Sequence, residues 1–179
     1  MIRKQLLIVI ALIVTMTCVA QEQPSRIDCK AGAGVGFMGS GDVLTLSFEN
    51  ELDYKLNAYF TAAATVGIGR SFETKHDKND YLHGGLTLYV SPFRNDGKNN
   101  FRIGLGYTFI NETRLYQTYA NRPIVYDYFT TNEHATNLVL DYRRQFNSKM
   151  SVGGKLYTIG GLEAGGILTG AMLVFGIAL

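Results

Sequence analysis

From Phe101 to Phe109 the chain reads Phe-Arg-Ile-Gly-Leu-Gly-Tyr-Thr-Phe, with a large apolar side chain at every second position. In an extended strand successive side chains point to opposite faces. Phe101, Ile103, Leu105, Tyr107 and Phe109 therefore form one face, and Arg102, Gly104, Gly106 and Thr108 the other. A half-buried strand of a soluble protein shares this pattern. Two further features set the chain apart: the alternation recurs as far as Leu179, and an export signal precedes it.

That signal occupies residues 1–20. Arg3 and Lys4 lead an apolar run from Leu6 to Met16, and Thr17-Cys18-Val19-Ala20 ends it before Gln21, the layout of a secretory leader cleaved after Ala20. The run is too short to cross a bilayer as a helix. Acylation of Cys18 fits poorly, because Thr15-Met16-Thr17 lacks the Leu and the small residue that such a site wants before its cysteine. Cleavage removes Arg3 and Lys4 from seventeen basic residues, leaving fifteen against fifteen acidic ones. The mature charge is zero, which argues against nucleic acid as a partner. It also leaves Cys29 as the lone cysteine, so neither an intrachain disulfide nor a cysteine metal cluster is available, and we expect Cys29 to be chemically idle. No later apolar run approaches helix-span length, so residues 21–179 are expected to form one all-β domain.

Twenty glycines, eleven tyrosines and three prolines suit a sheet protein. About eight strands can be traced, each near the ~9–11 residues that a tilted strand needs to span a bilayer. They are placed at 30–38, 43–50, 56–70, 81–92, 101–109, 134–146, 150–159 and 165–179. Gly39-Ser40-Gly41-Asp42, a connection through Asp53, the polar segment Glu73 to Asp80, Asn95-Asp96-Gly97, Asn147-Ser148-Lys149 and Gly160 to Glu163 separate them. Between Asn111 and Thr131, two Tyr-rich stretches flank Asn121-Arg122-Pro123; they predict a hairpin that prolongs strands five and six beyond the membrane. The reading is a closed antiparallel transmembrane β-barrel with both termini on the periplasmic side. The connections near 53, 95 and 148 are then periplasmic, and those near 40, 76, 121 and 162 external.

Leu173, Phe175, Ile177 and Leu179 share one face of the last strand, and no polar tail follows. This ending is similar to the terminal signal by which outer-membrane assembly machinery recognises barrels, although the usual last residue is aromatic and here it is Leu179. Over residues 28–179, in alternation, termini and turn placement, the chain resembles the small eight-stranded outer-membrane proteins of the OmpA/OmpX type. The resemblance implies residence in the outer membrane of a Gram-negative bacterium after export through the periplasm. It also implies a lumen closed by polar side chains, external loops that meet partners, and often no enzymatic activity. Lipid and lipopolysaccharide, the barrel-assembly machinery and an extracellular protein or glycan are the partners expected; no cofactor is.

Projection of the strands puts Glu49, Tyr59, Tyr89, Arg102, Asp141, Arg143 and Lys155 inside, mostly toward the periplasmic half. Charges there are tolerable only if paired. An eight-stranded barrel is just wide enough for side chains to fill, so a salt-bridged plug is the first reading. A narrow pore or small-ligand site is the alternative, favoured by Gly, Ala and Thr around His83 in the outer half. A soluble lipocalin-like carrier would need polar residues where Phe60, Leu86, Leu105 and Leu140 stand.

Two further features bear on activity. His134-Ala135-Thr136-Asn137 is similar to the His-x-Ser-Asn motif of outer-membrane lipid A deacylases, in which Ser is the nucleophile, His its base and Asn an oxyanion donor. Here Thr136 replaces the Ser, and the nearest downstream acid, Asp141, is expected to face the lumen, away from His134. An interfacial His and Thr is the preferred reading of that pair. His76 and His83 lie apart from it, so no histidine metal site is expected. The second feature is the hairpin's Tyr116, Tyr119, Tyr126, Tyr128 and Phe129, read as cross-strand packing or as a surface that binds a protein or glycan.

Overall fold

A computed structural model describes residues 26–39, 43–72, 79–93, 98–118, 125–160 and 168–179; within the long hairpin, the side chains of 114–128 are left aside. The proposed leader, Tyr119 and His76 fall outside these residues. The described residues contain no helix. Eight strands run in order: β1 Ile27–Met38, β2 Val43–Lys55, β3 Phe60–Ser71, β4 Asn79–Val90, β5 Asn99–Thr118, β6 Val125–Gln145, β7 Met150–Gly160 and β8 Leu168–Ala178. Each pairs antiparallel with its neighbour, and β1 pairs with β8, closing the sheet. Closure removes the free edge along the part of the wall where all eight strands pair, so the ladder groups there find partners within the wall.

The period-two pattern becomes an inside-out barrel. Outward positions carry Leu46, Phe48, Val66, Ile68, Leu86, Leu105, Leu138, Leu156, Leu173 and Phe175, all exposed. Inward positions carry Lys30, Glu49, Glu51, Asp53, Arg102, Asp141 and Lys155, each at most 7% exposed. Water would reverse that distribution; a hydrocarbon surround rewards it. Phe60, Leu86, Leu105 and Leu140 are 39–66% exposed, which decides against a soluble carrier.

The strand ends need correction at several points. The expected turn at Asp53 lies inside β2, which continues to Lys55 with Glu51 and Asp53 inward and Leu52 and Tyr54 outward. The reversal comes at 56–59, where Asn57 Oδ1 accepts from the backbone N–H groups of Tyr59 (2.8 Å) and Phe60 (2.9 Å). Tyr59 therefore belongs to a turn and is 46% exposed, not a lumen residue as expected. The first strand begins at Ile27, the third at Phe60, and the fourth spans Asn79–Val90. After β1, Gly39 takes φ 66°, a left-handed conformation that a side chain would oppose.

The long hairpin is present. Gly160 of β7 pairs with Thr136, and the eleven residues Val125–Ala135 of β6 continue past it, paired among the described residues only with β5. At ~3.3 Å per residue, that ribbon extends roughly 35 Å along its own axis beyond the last β7 partner.

Candidate functional site

The lumen is stacked in three levels. At the end shared by the two termini lies a charged level. Arg102, fully buried, donates from Nη1 to Asp53 Oδ2 at 2.6 Å and from Nε to Asp141 Oδ2 at 3.0 Å. Its Nη2 contacts Asp141 again and lies 3.3 Å from Glu51 Oε1, while the guanidinium carbon sits 3.9 Å from the centre of the Tyr89 ring. The Tyr89 hydroxyl donates to Glu51 Oε2 at 2.9 Å. Lys30 pairs with Glu51 and, at 2.7 Å, with Asp53. Lys155 pairs with Glu49 and, at 2.7 Å, with Glu51. Arg143 reaches Asp28 at 3.4 Å and Asp141 at 3.6 Å, and Asp28 also holds Lys55 at 3.1 Å. Five acids thus face five bases, so the desolvation of each charge is offset by direct partners.

The middle level is neutral and polar. Asn137 Nδ2 donates to Thr108 Oγ1 at 2.8 Å and Thr87 Oγ1 at 3.0 Å. The Ser47 and Tyr81 hydroxyls are 2.5 Å apart, and Tyr157 donates to Ser47 at 3.3 Å. His83 is buried here; its ring occupies the space where a Cβ on Gly67 would stand, and its Nε2 lies 3.8 Å from Glu49 Oε2. The third level, toward the long hairpin, is mixed: Met38, Leu168 and Ile159 neighbour one another through the β1–β8–β7 register, Ile110 is fully buried with Met38 and Leu168, and on the β3–β5 side the buried Glu112 carboxylate accepts from Asn79 Nδ2 while the Asn79 backbone N–H donates to Ser71 Oγ at 2.8 Å.

Of the expected lumen residues, Glu49, Tyr89, Arg102, Asp141, Arg143 and Lys155 converge on the charged level, and Tyr59 does not. Asp28, Lys30, Glu51, Asp53 and Lys55 complete the level beyond the expected list; the alternation through 28–30 and 51–55 carries the signal for them. The space expected around His83 amounts to a cavity of about 10 Å³ lined by Glu49, Thr65, Thr87, Thr108, Asn137 and Lys155, which is room for one water at most.

The residues of the deacylase-like motif do not meet. His134 and Thr136 face outward, as their register demands, but Asn137 faces the lumen and bonds to Thr87 and Thr108. Thr136 Oγ1 donates to the Gly160 carbonyl at 2.8 Å, and His134 Nδ1 is engaged by the Tyr107 hydroxyl, with Phe109 packed 5.3 Å away, centroid to centroid. A nucleophile needs its base and oxyanion donors on one side of the wall. Asp141, buried in the charged level, is not available to orient His134. Of the candidate binding residues in the hairpin, Phe129 is 57% exposed, and the backbones of Tyr116, Tyr126 and Tyr128 pair across β5 and β6. Cys29 is a partly exposed free thiol, and the described residues hold no cluster of metal-binding side chains.

No sequence profile of a known protein family matches the chain, and no curated protein matches it by sequence. Solved structures do match in three dimensions. Neisserial surface protein A superposes with a TM-score of 0.59 at 9% identity, over 87% of this chain and 96% of its own. Ail, the attachment invasion locus protein of Yersinia pestis, gives 0.55 at 10% identity over 86% and 95%. The outer-membrane enzyme PagL gives 0.51 at 14% identity over 84% and 99%. Closed antiparallel topology, polar filling and apolar exterior together give this chain the fold of the small eight-stranded outer-membrane β-barrels.

Proposed function

We propose that the chain is a non-enzymatic outer-membrane protein of a Gram-negative bacterium that holds the β5–β6 hairpin above the membrane as a surface for contact with an extracellular protein or glycan. The observation that carries this reading is the contrast between a filled barrel and an overlong hairpin. The described lumen is occupied by a ten-member charge network, a polar level and a mixed level of apolar and polar side chains, whereas β5 and β6 are 20 and 21 residues long against 11–13 for the other strands. A wall that only had to span the bilayer needs ~9–11 residues per strand. In this orientation both termini and the turns at 56–59 and 146–149 face the periplasm. Phe129, exposed on β6, supplies rigid apolar contact area.

Deleting residues 115–128 tests it. The shortened protein should still migrate faster on a gel before boiling than after, and cells displaying it should lose adhesion to protein- or glycan-coated surfaces. Unchanged adhesion would remove the binding role. Incubation of the folded barrel with lipid A, followed by mass spectrometry, checks the enzymatic reading. We expect no acyl loss, and acyl loss abolished by His134→Ala would overturn the proposal.

A further inference from the structure

Among the described residues, the lipid-facing surface carries one amide at mid-depth. Along β2 the outward side chains are Leu44, Leu46, Phe48, Asn50, Leu52 and Tyr54, so Asn50 has apolar neighbours on both sides along its strand. The register places it beside Ala31 of β1 and Val66 of β3, with Ala33 and Ala64 on the diagonals. Asn50 is exposed, and its side chain makes no hydrogen bond to any described residue. Other outward polar side chains behave differently. Thr136 donates to Gly160, Thr158 pairs with Thr169, Thr113 with Thr130, and Asn111 with Asn132, all on the hairpin side of the belt.

A primary amide presents two donors and an acceptor, and acyl chains at this depth satisfy none of them. We propose that the Asn50 face of β1–β3 is the contact surface for a second copy of this chain, joined by reciprocal Asn50–Asn50 amide hydrogen bonds. The symmetry favours this occupant. Two copies inserted in the same direction are related by a twofold axis along the membrane normal, and rotation about that axis preserves depth. A residue near the axis therefore meets its own copy at its own level. An amide is its own complement, donating with N–H and accepting with C=O, which an ammonium or a carboxylate is not. Ala31 and Ala64, with only a methyl each, allow the two walls to approach until the amides touch.

The test uses the folded barrel in lipid bilayers. In a Cys29→Ser background, Asn50→Cys is compared with Leu138→Cys, which lies on β6, four strands around the barrel, and is 47% exposed. Mild oxidation should give a disulfide-linked dimer with Asn50→Cys and none with Leu138→Cys. Independently, wild type and Asn50→Leu are compared by FRET between labelled copies at a series of dilutions in lipid. Two reciprocal bonds of ordinary intramembrane strength predict that Asn50→Leu weakens association roughly tenfold. Equal crosslinking at both positions, crosslinking at neither, or identical dilution curves for wild type and Asn50→Leu would overturn the proposal. Because Asn50→Leu completes the apolar belt, its barrel should fold at least as well as wild type.

Discussion

Replacing Arg102 by Met measures what the charged level contributes. Arg102 is fully buried, its stem runs over Tyr89, and its guanidinium touches Asp53, Asp141 and Glu51. Met keeps much of the stem's volume and removes the charge, leaving five acids facing four bases. An uncompensated buried charge costs about 3–5 kcal/mol. The lost cation–π contact adds about 1 kcal/mol. Arg102→Met should therefore destabilise the barrel by roughly 4–6 kcal/mol. Adding Asp141→Leu removes the most closely engaged acid and restores four against four, so the double variant should recover to within about 2 kcal/mol of wild type. The chain has no tryptophan, so urea unfolding in bilayers is best followed by the fraction of heat-modifiable band at each denaturant concentration. If Arg102→Met costs less than about 1 kcal/mol, water reaches the level and the charges are solvated. If the double variant is as unstable as the single one, packing rather than charge balance governs the site.

Three further outcomes follow from the geometry. Gly67→Ala should destabilise by about 1–3 kcal/mol, because its methyl would occupy the His83 ring position, whereas outward Gly84→Ala meets only one carbonyl oxygen at 3.7 Å and should be neutral; equal urea midpoints would contradict the packing described. Arg70→Ala removes an ion pair whose side chains are 70% and 39% exposed, so its midpoint should move by less than about 0.5 kcal/mol, and a shift as large as that of Arg102→Met would refute the distinction between lumen and surface pairs. In planar bilayers the wild-type barrel should show no steady conductance; a stable open channel would mean that the three packed levels do not seal the described lumen.

The barrel was legible because its strands obey a rule with a period of two, and residues 101–109 and 173–179 display it without interruption. The strand through Asp53 is hidden because in a soluble protein a polar run such as Asn-Glu-Leu-Asp-Tyr-Lys marks a loop. In a barrel with a polar lumen, charge at every second position marks the inside, and Leu52 and Tyr54 were the outward half of the same strand. Which charges meet was not legible, since Lys155 and Glu49 are 106 residues apart and Arg102 and Asp141 are 39 apart. Such pairings depend on shear and closure, which no local pattern encodes. Asn137 illustrates the opposite case. The motif placed it with His134 and Thr136, while the same two-residue period that built the strand turned it to the other face.

The ten members of the charged level are divided unevenly along the chain. The first four strands contribute Asp28, Glu49, Glu51 and Asp53 against Lys30 and Lys55, and the last four contribute Arg102, Arg143 and Lys155 against Asp141. At this level each half is therefore a curved sheet with an unbalanced charge on its concave side, negative in the first and positive in the second. Neither half can shed its water in hydrocarbon alone, so stepwise entry one hairpin at a time is blocked. Entry into the bilayer and the meeting of β1 with β8 must be a single event, drawn together by the opposite signs of the two halves.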